Sequence, residues 1–217
     1  MIDLHTHTYL SDGKLGPAAL VRAARIAGYR AIALTDHVDT STMDLIVPRL
    51  IALAQEYSAF MDMTIIPGVE LTHVPAALLG LEVERARKMG AALVLVHGET
   101  VFEPVEKGTN LAAIEAGVDI LAHPGLITDE ESRQAAQQGV YLEISTRPSH
   151  GLTNGHVLHQ ARKHGVKIVI NNDAHGPKDL LERERHYKVS LGCGMTADEY
   201  HKAQKHSWDL VSHFLSL

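Results

Sequence analysis

Histidines and carboxylates recur in this chain at positions where they would act together. His5 and His7 stand one residue apart near the N-terminus, and Asp12 follows shortly after. Asp36 and His37 are adjacent, Glu70, His97 and His123 stand singly, and Asp173-x-His175 repeats the spacing of His5-x-His7. Alternate residues of an extended strand point to one side, so each His/Asp-x-His pair presents two donors together. Imidazole suits borderline cations such as zinc, manganese or iron, and a carboxylate can bridge two of them. Six histidines and three carboxylates make nine possible ligands. One four-coordinate ion cannot use nine, whereas two or three ions sharing bridging carboxylates can. A lone histidine at a strand end is more often a hydrogen-bonded polar residue than a ligand, so the weight lies on the set.

The elements that must position these residues alternate regularly. Short runs rich in Val, Ile and Leu predict strands at 2–5, 31–35, 63–69, 91–96, 119–122, 140–144 and 166–170. They are continuously apolar, as strands of a parallel sheet buried on both faces are. Between them lie helical patterns at 17–27, 42–60, 78–88, 110–116, 128–139, 155–164 and 178–188, with a last one from 196 to the C-terminus. Pro48 is expected to kink the second or delay its start. Thr128 with Glu131 reads as a capping box. Every strand delivers a ligand-type residue at its C-terminal end: His5, Asp36 and His37, Glu70, His97, His123, Glu143 with Arg147, then Asp173 and His175. An open sheet would string them along a line too long for one site, whereas a closed barrel gathers them at one mouth. The expected fold is therefore an α/β barrel of the TIM type, in one domain over residues 1–217.

Composition limits the partners. The 217 residues are 45% hydrophobic and 21% charged, with a formal charge of −6. That is an ordinary globular balance, and it disfavours a sequence-independent nucleic-acid binder. Aromatics are only 5%, with no basic stripe for tracking a long strand. No apolar run approaches a membrane span, and the start Met1-Ile2-Asp3 leads to the expectation of no leader. One cysteine, Cys193, rules out an internal disulfide framework and fits a reducing, cytoplasmic setting. Six of the remaining histidines, His156, His159, His164, His201, His206 and His213, are expected on solvated helix faces. His73 and His150 follow strands and are placed near the pocket, and His186 is ambiguous.

Taken in order, the motifs Asp3-Leu4-His5-Thr6-His7, Ser11-Asp12-Gly13, Thr35-Asp36-His37, Gly68-Val69-Glu70, His97, Leu121-Ala122-His123-Pro124 and Asn172-Asp173-Ala174-His175 closely resemble those of the PHP (polymerase and histidinol phosphatase) family of metal-dependent phosphoesterases. The resemblance spans residues 3–175. It implies a distorted seven-stranded (β/α)7 barrel with two or three divalent ions. As ligands it implies His5, His7, Glu70, His97, His123, Asp173 and His175, with Asp12 and His37 completing the cluster. His97-Gly98-Glu99 and Glu143-Ile144-Ser145-Thr146-Arg147 resemble the histidinol-phosphate-phosphatase-like branch.

The chemistry expected is hydrolysis of a small phosphomonoester, histidinol phosphate among the candidates, by a metal-activated water. The ions make the mouth positive even in an acidic chain, so a phosphorylated metabolite fits. Arg147 is the candidate phosphate clamp, since a guanidinium binds two oxygens at once. The leaving group takes its proton from a metal-held water, His37 or Asp36; alternatively Asp36 orients His37. Glu99 is a candidate partner for a substrate ammonium. Two other readings compete. A nucleotide phosphoesterase or nuclease of the same family would share the site. An amidohydrolase-type hydrolase also opens with His-x-His, but places a lysine where this chain has His97.

Overall fold

A computed structural model describes residues 1–215. Eight parallel strands form: β1 (Ile2–Asp3), β2 (Ala31–Leu34), β3 (His37–Val38), β4 (Thr64–Leu71), β5 (Leu93–His97), β6 (Ile120–Ala122), β7 (Tyr141–Ser145) and β8 (Ile168–Asn171). Seven follow one another in the order β1-β2-β4-β5-β6-β7-β8, and β3 continues the path of β2 along the upper half of β4. The result is a nearly closed (β/α)7 barrel, as the placement of polar residues anticipates. The helices α1 (Pro17–Ile26), α2 (Met43–Met61), α3 (Leu79–Lys88), α4 (Thr109–Glu115), α5 (Asp129–Gln138), α6 (Asn154–His164), α7 (Arg183–Gly192) and α8 (Ala197–Leu215) surround it. None of them is long and apolar enough to cross a membrane.

Two-residue alternation divides the core. Ile32, Leu34, Val94, Val96, Leu142, Ile144 and Ile170 belong to a layer packed under the helices. Ala31, Ala33, Ile66, Leu93, Leu95, Ile120, Tyr141 and Val169 fill the barrel interior. The interior series runs on into polar residues at the C-terminal mouth: Ile66 to Glu70, Leu93 and Leu95 to His97, Tyr141 to Glu143, Val169 to Asn171 and Asp173. One period thus builds the apolar floor and aims the donors above it.

The barrel closes by a seam between the first and last strands. At the mouth, Thr6 bridges Ala174, and the His7 amide donates to the Ala174 carbonyl at 2.8 Å. Lower down, side chains replace the ladder. The Leu4 amide donates to Asn171 Oδ1 at 3.0 Å, and His206 of α8 donates from Nδ1 to the Ile168 carbonyl at 2.8 Å. Asp3 accepts from the Asn172 amide and side chain, tying the same two edges together.

Two helical expectations need correction. The helix expected at 178–188 begins at Arg183 and runs on to Gly192. Residues 176–182 are held as a loop, because Asp179 accepts from the His175 amide and the Leu181 carbonyl accepts from the Tyr29 hydroxyl. The second helix starts at Met43 and passes through Pro48, so proline does not delay it. The capping box at Thr128 and Glu131 forms as expected.

Candidate metal centre

The strand ends bring all nine sequence-predicted donors to one mouth. Glu70 is at the middle and fully buried. Its Oε2 lies 2.8 Å from His37 Nδ1, 3.3 Å from His5 Nε2 and 3.6 Å from His7 Nε2, while Oε1 lies 3.4 Å from His123 Nε2. Asp173 is the second carboxylate of the centre: Oδ1 stands 3.2 Å from His7 Nε2, 3.3 Å from His175 Nδ1 and 3.7 Å from His5 Nε2. Asp12, at the rim, is 3.1 Å from His175 Nε2 and 3.6 Å from His37 Nε2.

Despite these short separations, several donor atoms have no hydrogen bond. His5 Nε2, both nitrogens of His7, both oxygens of Glu70, and Nδ1 of His97 and of His123 are buried without a partner. Leaving buried polar groups unsatisfied is costly, and such crowding calls for an explanation. Divalent cations supply one. The donor atoms fall into four sets, each within 4.8 Å of one another: His7, Asp12, His37 and His175; His97, His123 and His150; His5, His123 and Asp173; His5, His7 and Glu70. The residues present fit divalent cations.

Electrostatics are divided: against burial, Glu143 and Glu70 raise the pKa of His5, Glu70 raises His37 and His123, and burial raises Asp173, whereas Glu70, His7 and His97 take the forms that bind cations. Burial would raise the pKa of Glu70, but His5 and His37 hold it well below the ordinary carboxylate range. Burial, with His37 and His5 beside it, keeps His7 well below its ordinary value and therefore neutral. Burial also lowers His97, to about 4. Ionised carboxylate and neutral imidazole are the forms that bind cations. His123 and Asp173 both sit at positive φ, 27° and 51°, a conformation that strains non-glycine residues by about 1–3 kcal/mol each.

Three residues in or beside this centre were not assigned from sequence. Glu143 lies beneath the ligands: Oε1 is 2.9 Å from His5 Nδ1 and Oε2 accepts from the His123 amide at 3.1 Å. It fixes which His5 nitrogen faces the cluster; its place on the interior face of β7 was the available signal. His150, expected only near the pocket, joins the second donor set, its ring 4.1 Å from that of His123. Glu103, a loop residue with no periodic signal, places Oε2 3.1 Å from His97 Nε2.

Two expected substrate-side residues turn elsewhere. The Asp36 carboxylate accepts from the amides and hydroxyls of Thr8 and Ser11, so it secures the first loop; among the described residues it makes no hydrogen bond to His37. Glu99 Oε1 accepts from the Gly108 and Asn110 amides and is spent on the start of α4. Arg147 does line the cavity, about 480 Å³ in volume, together with His37, Glu103, His150 and Asp173. Of the histidines expected on solvated faces, His206 departs: it is buried at the seam, where its proton satisfies a strand carbonyl.

Comparison with known proteins agrees with this architecture. A family model described as the PHP domain matches residues 3–204. The uncharacterized protein MJ1295 of Methanocaldococcus jannaschii is 44% identical over 206 residues, covering 94% of each chain. The probable phosphatase Teth514_1060 of Thermoanaerobacter sp. is 28% identical over 236 residues, covering 91% of this chain and 88% of its own. Among solved structures, a chain of archaeal ribonuclease P with mature tRNA superposes with a TM-score of 0.70 at 18% identity, over 99% of this chain and 91% of that one. Histidinol phosphate phosphatase from Lactococcus lactis, complexed with zinc, L-histidinol and phosphate, superposes with a TM-score of 0.58 at 17% identity, over 96% and 93%. With the barrel, the mouthful of donors and a family match over nearly its whole length, the chain belongs to the PHP family of metal-dependent phosphoesterases.

Proposed function

We propose that the protein hydrolyses a small phosphomonoester at a two- or three-metal site built from His5, His7, Asp12, His37, Glu70, His97, His123, His150, Asp173 and His175. The observation that carries this reading is the set of buried, partnerless donor atoms around Glu70. Divalent cations held there, zinc, manganese or iron, supply Lewis acidity and an acidified water. The protein's own groups supply position. Arg147 Nη1 donates to the Asp173 carbonyl at 3.1 Å, and its side chain stays 31% exposed at the cavity. A guanidinium so anchored presents its remaining donors to phosphate oxygens. His37 is partly exposed at the mouth, with Nδ1 2.7 Å from Thr72 Oγ1. A cavity of about 480 Å³ suits a metabolite. The likeness to the ribonuclease P chain of known structure is one of fold, at 18% identity, and ribonuclease P protein component 3 of Methanosarcina barkeri is also 28% identical in sequence over 205 residues, covering 87% of this chain.

The test is direct. Purified protein is assayed for metal content and for release from p-nitrophenyl phosphate, with and without chelator. Chelation is expected to abolish turnover, and His7→Ala to lower kcat/KM by about 100-fold or more. Turnover indifferent to both treatments would end this reading. A panel of phosphorylated metabolites, histidinol phosphate first, then identifies the substrate.

A further inference from the structure

A second, larger cavity lies at the other end of the barrel, below the starts of β1 and β2. It measures about 940 Å³, nearly twice the metal-lined mouth, and its walls come from the Arg30 turn, α7 and α8. Three features make it a built site. First, Tyr187, Tyr200 and Trp208 line it, with the two tyrosine rings 4.9 Å apart and Trp208 half exposed. Tyr200, Gln204 and Trp208 repeat every fourth residue, so one face of α8 forms a wall. Second, Arg30 and Arg183 stand at its rim, and neither makes a salt bridge among the described residues. Glu184, the acidic residue in the wall, is taken by Lys188 at 2.6 Å. Third, the Gln204 Nε2 amide is buried in this wall without a hydrogen-bond partner.

These groups are complementary to one kind of ligand. Aromatic side chains offer faces for a flat ring, with the guanidiniums as charge-assisted donors to an anion. A turn of the Gln204 side chain would bring its unpartnered amide to a ring acceptor atom. We propose that this cavity binds an aromatic heterocycle carrying a phosphate, as a nucleoside monophosphate does. The ring packs on Trp208 and Tyr187, and the phosphate meets Arg30 and Arg183. The site is separate from the metal centre, so its occupant is an effector or a second ligand.

Trp208 is the chain's single tryptophan and reports on this cavity directly. Adenosine monophosphate, adenosine and inorganic phosphate are each titrated into the metal-loaded protein while tryptophan emission is followed. Adenosine monophosphate is expected to change emission saturably with a Kd below about 1 mM, and the other two only more weakly. Arg30→Gln with Arg183→Gln is expected to weaken the monophosphate by roughly tenfold or more. Both arginines are exposed, and circular dichroism confirms that the variant is folded. Gln204→Met, which removes the buried donor and keeps the bulk, is expected to weaken it independently. No emission change, equal responses to phosphate or adenosine alone, or an affinity untouched in the folded arginine variant would each overturn the proposal.

Discussion

At the residue scale, the centre depends on groups that touch no substrate. Glu143 holds His5 from below and also receives the His123 amide and the Asn171 side chain at 2.8 Å. Glu143→Gln keeps the shape but loses the charge that orients an imidazole toward a cation. Metal affinity is expected to fall by about 10–100-fold, read by competition with a chelator, with the fold retained by circular dichroism. An affinity equal to wild type would show that packing alone orients His5. The cluster of donors was legible in sequence because its members recur at strand ends with shared chemistry. Glu143 was visible only as a residue of the right type on the sixth barrel strand. Glu103 was illegible, since a loop carries no period to say where its side chain points.

At the element scale, two loops interlock above β5 and β6. Gly98 donates its amide to the Ala122 carbonyl, and a Cβ there would stand 2.3 Å from that oxygen. Gly125 sits at φ +64°, where a Cβ would come within 1.8 Å of the Glu99 carbonyl oxygen. Gly125→Ala therefore combines an unfavourable backbone with a steric overlap against main chain. It is expected to cost more than about 2 kcal/mol, read from the urea midpoint, and to lower metal occupancy by displacing His123. A variant with unchanged midpoint would mean that the loop relaxes freely. The strands were readable because burial on both faces leaves continuous apolar runs. The start of α7 was not: Asp179 and Leu181 answer to partners distant in sequence, and no local pattern announces that. The seam escaped notice for the same reason, since Asn171 and His206 do there what backbone does elsewhere.

At the scale of the whole molecule, acid should act on more than the metal centre. His186 is fully buried under α8, with Nδ1 3.3 Å from the Tyr200 hydroxyl, and burial lowers its pKa to about 4. The unfolded chain takes up this proton near pH 6.5 and the folded chain only near 4. Stability from this group is thus complete above pH 6.5 and declines as pH falls through that window. The loss is about 1.4 kcal/mol per pH unit, up to roughly 3 kcal/mol. His186→Gln should flatten this dependence relative to wild type between pH 7 and 5, measured by urea unfolding. Parallel curves would assign the acid sensitivity elsewhere.

The bridge from Thr6 to Ala174 also has a temporal consequence. His5 and His7 are synthesised some 170 residues before their counterparts Asp173 and His175, an interval of roughly 10–30 s at ordinary elongation rates. Until then no nascent chain holds a complete ligand set. Cations held by all of these donors would therefore bind only after both edges of the seam have been made, and would rivet those edges together.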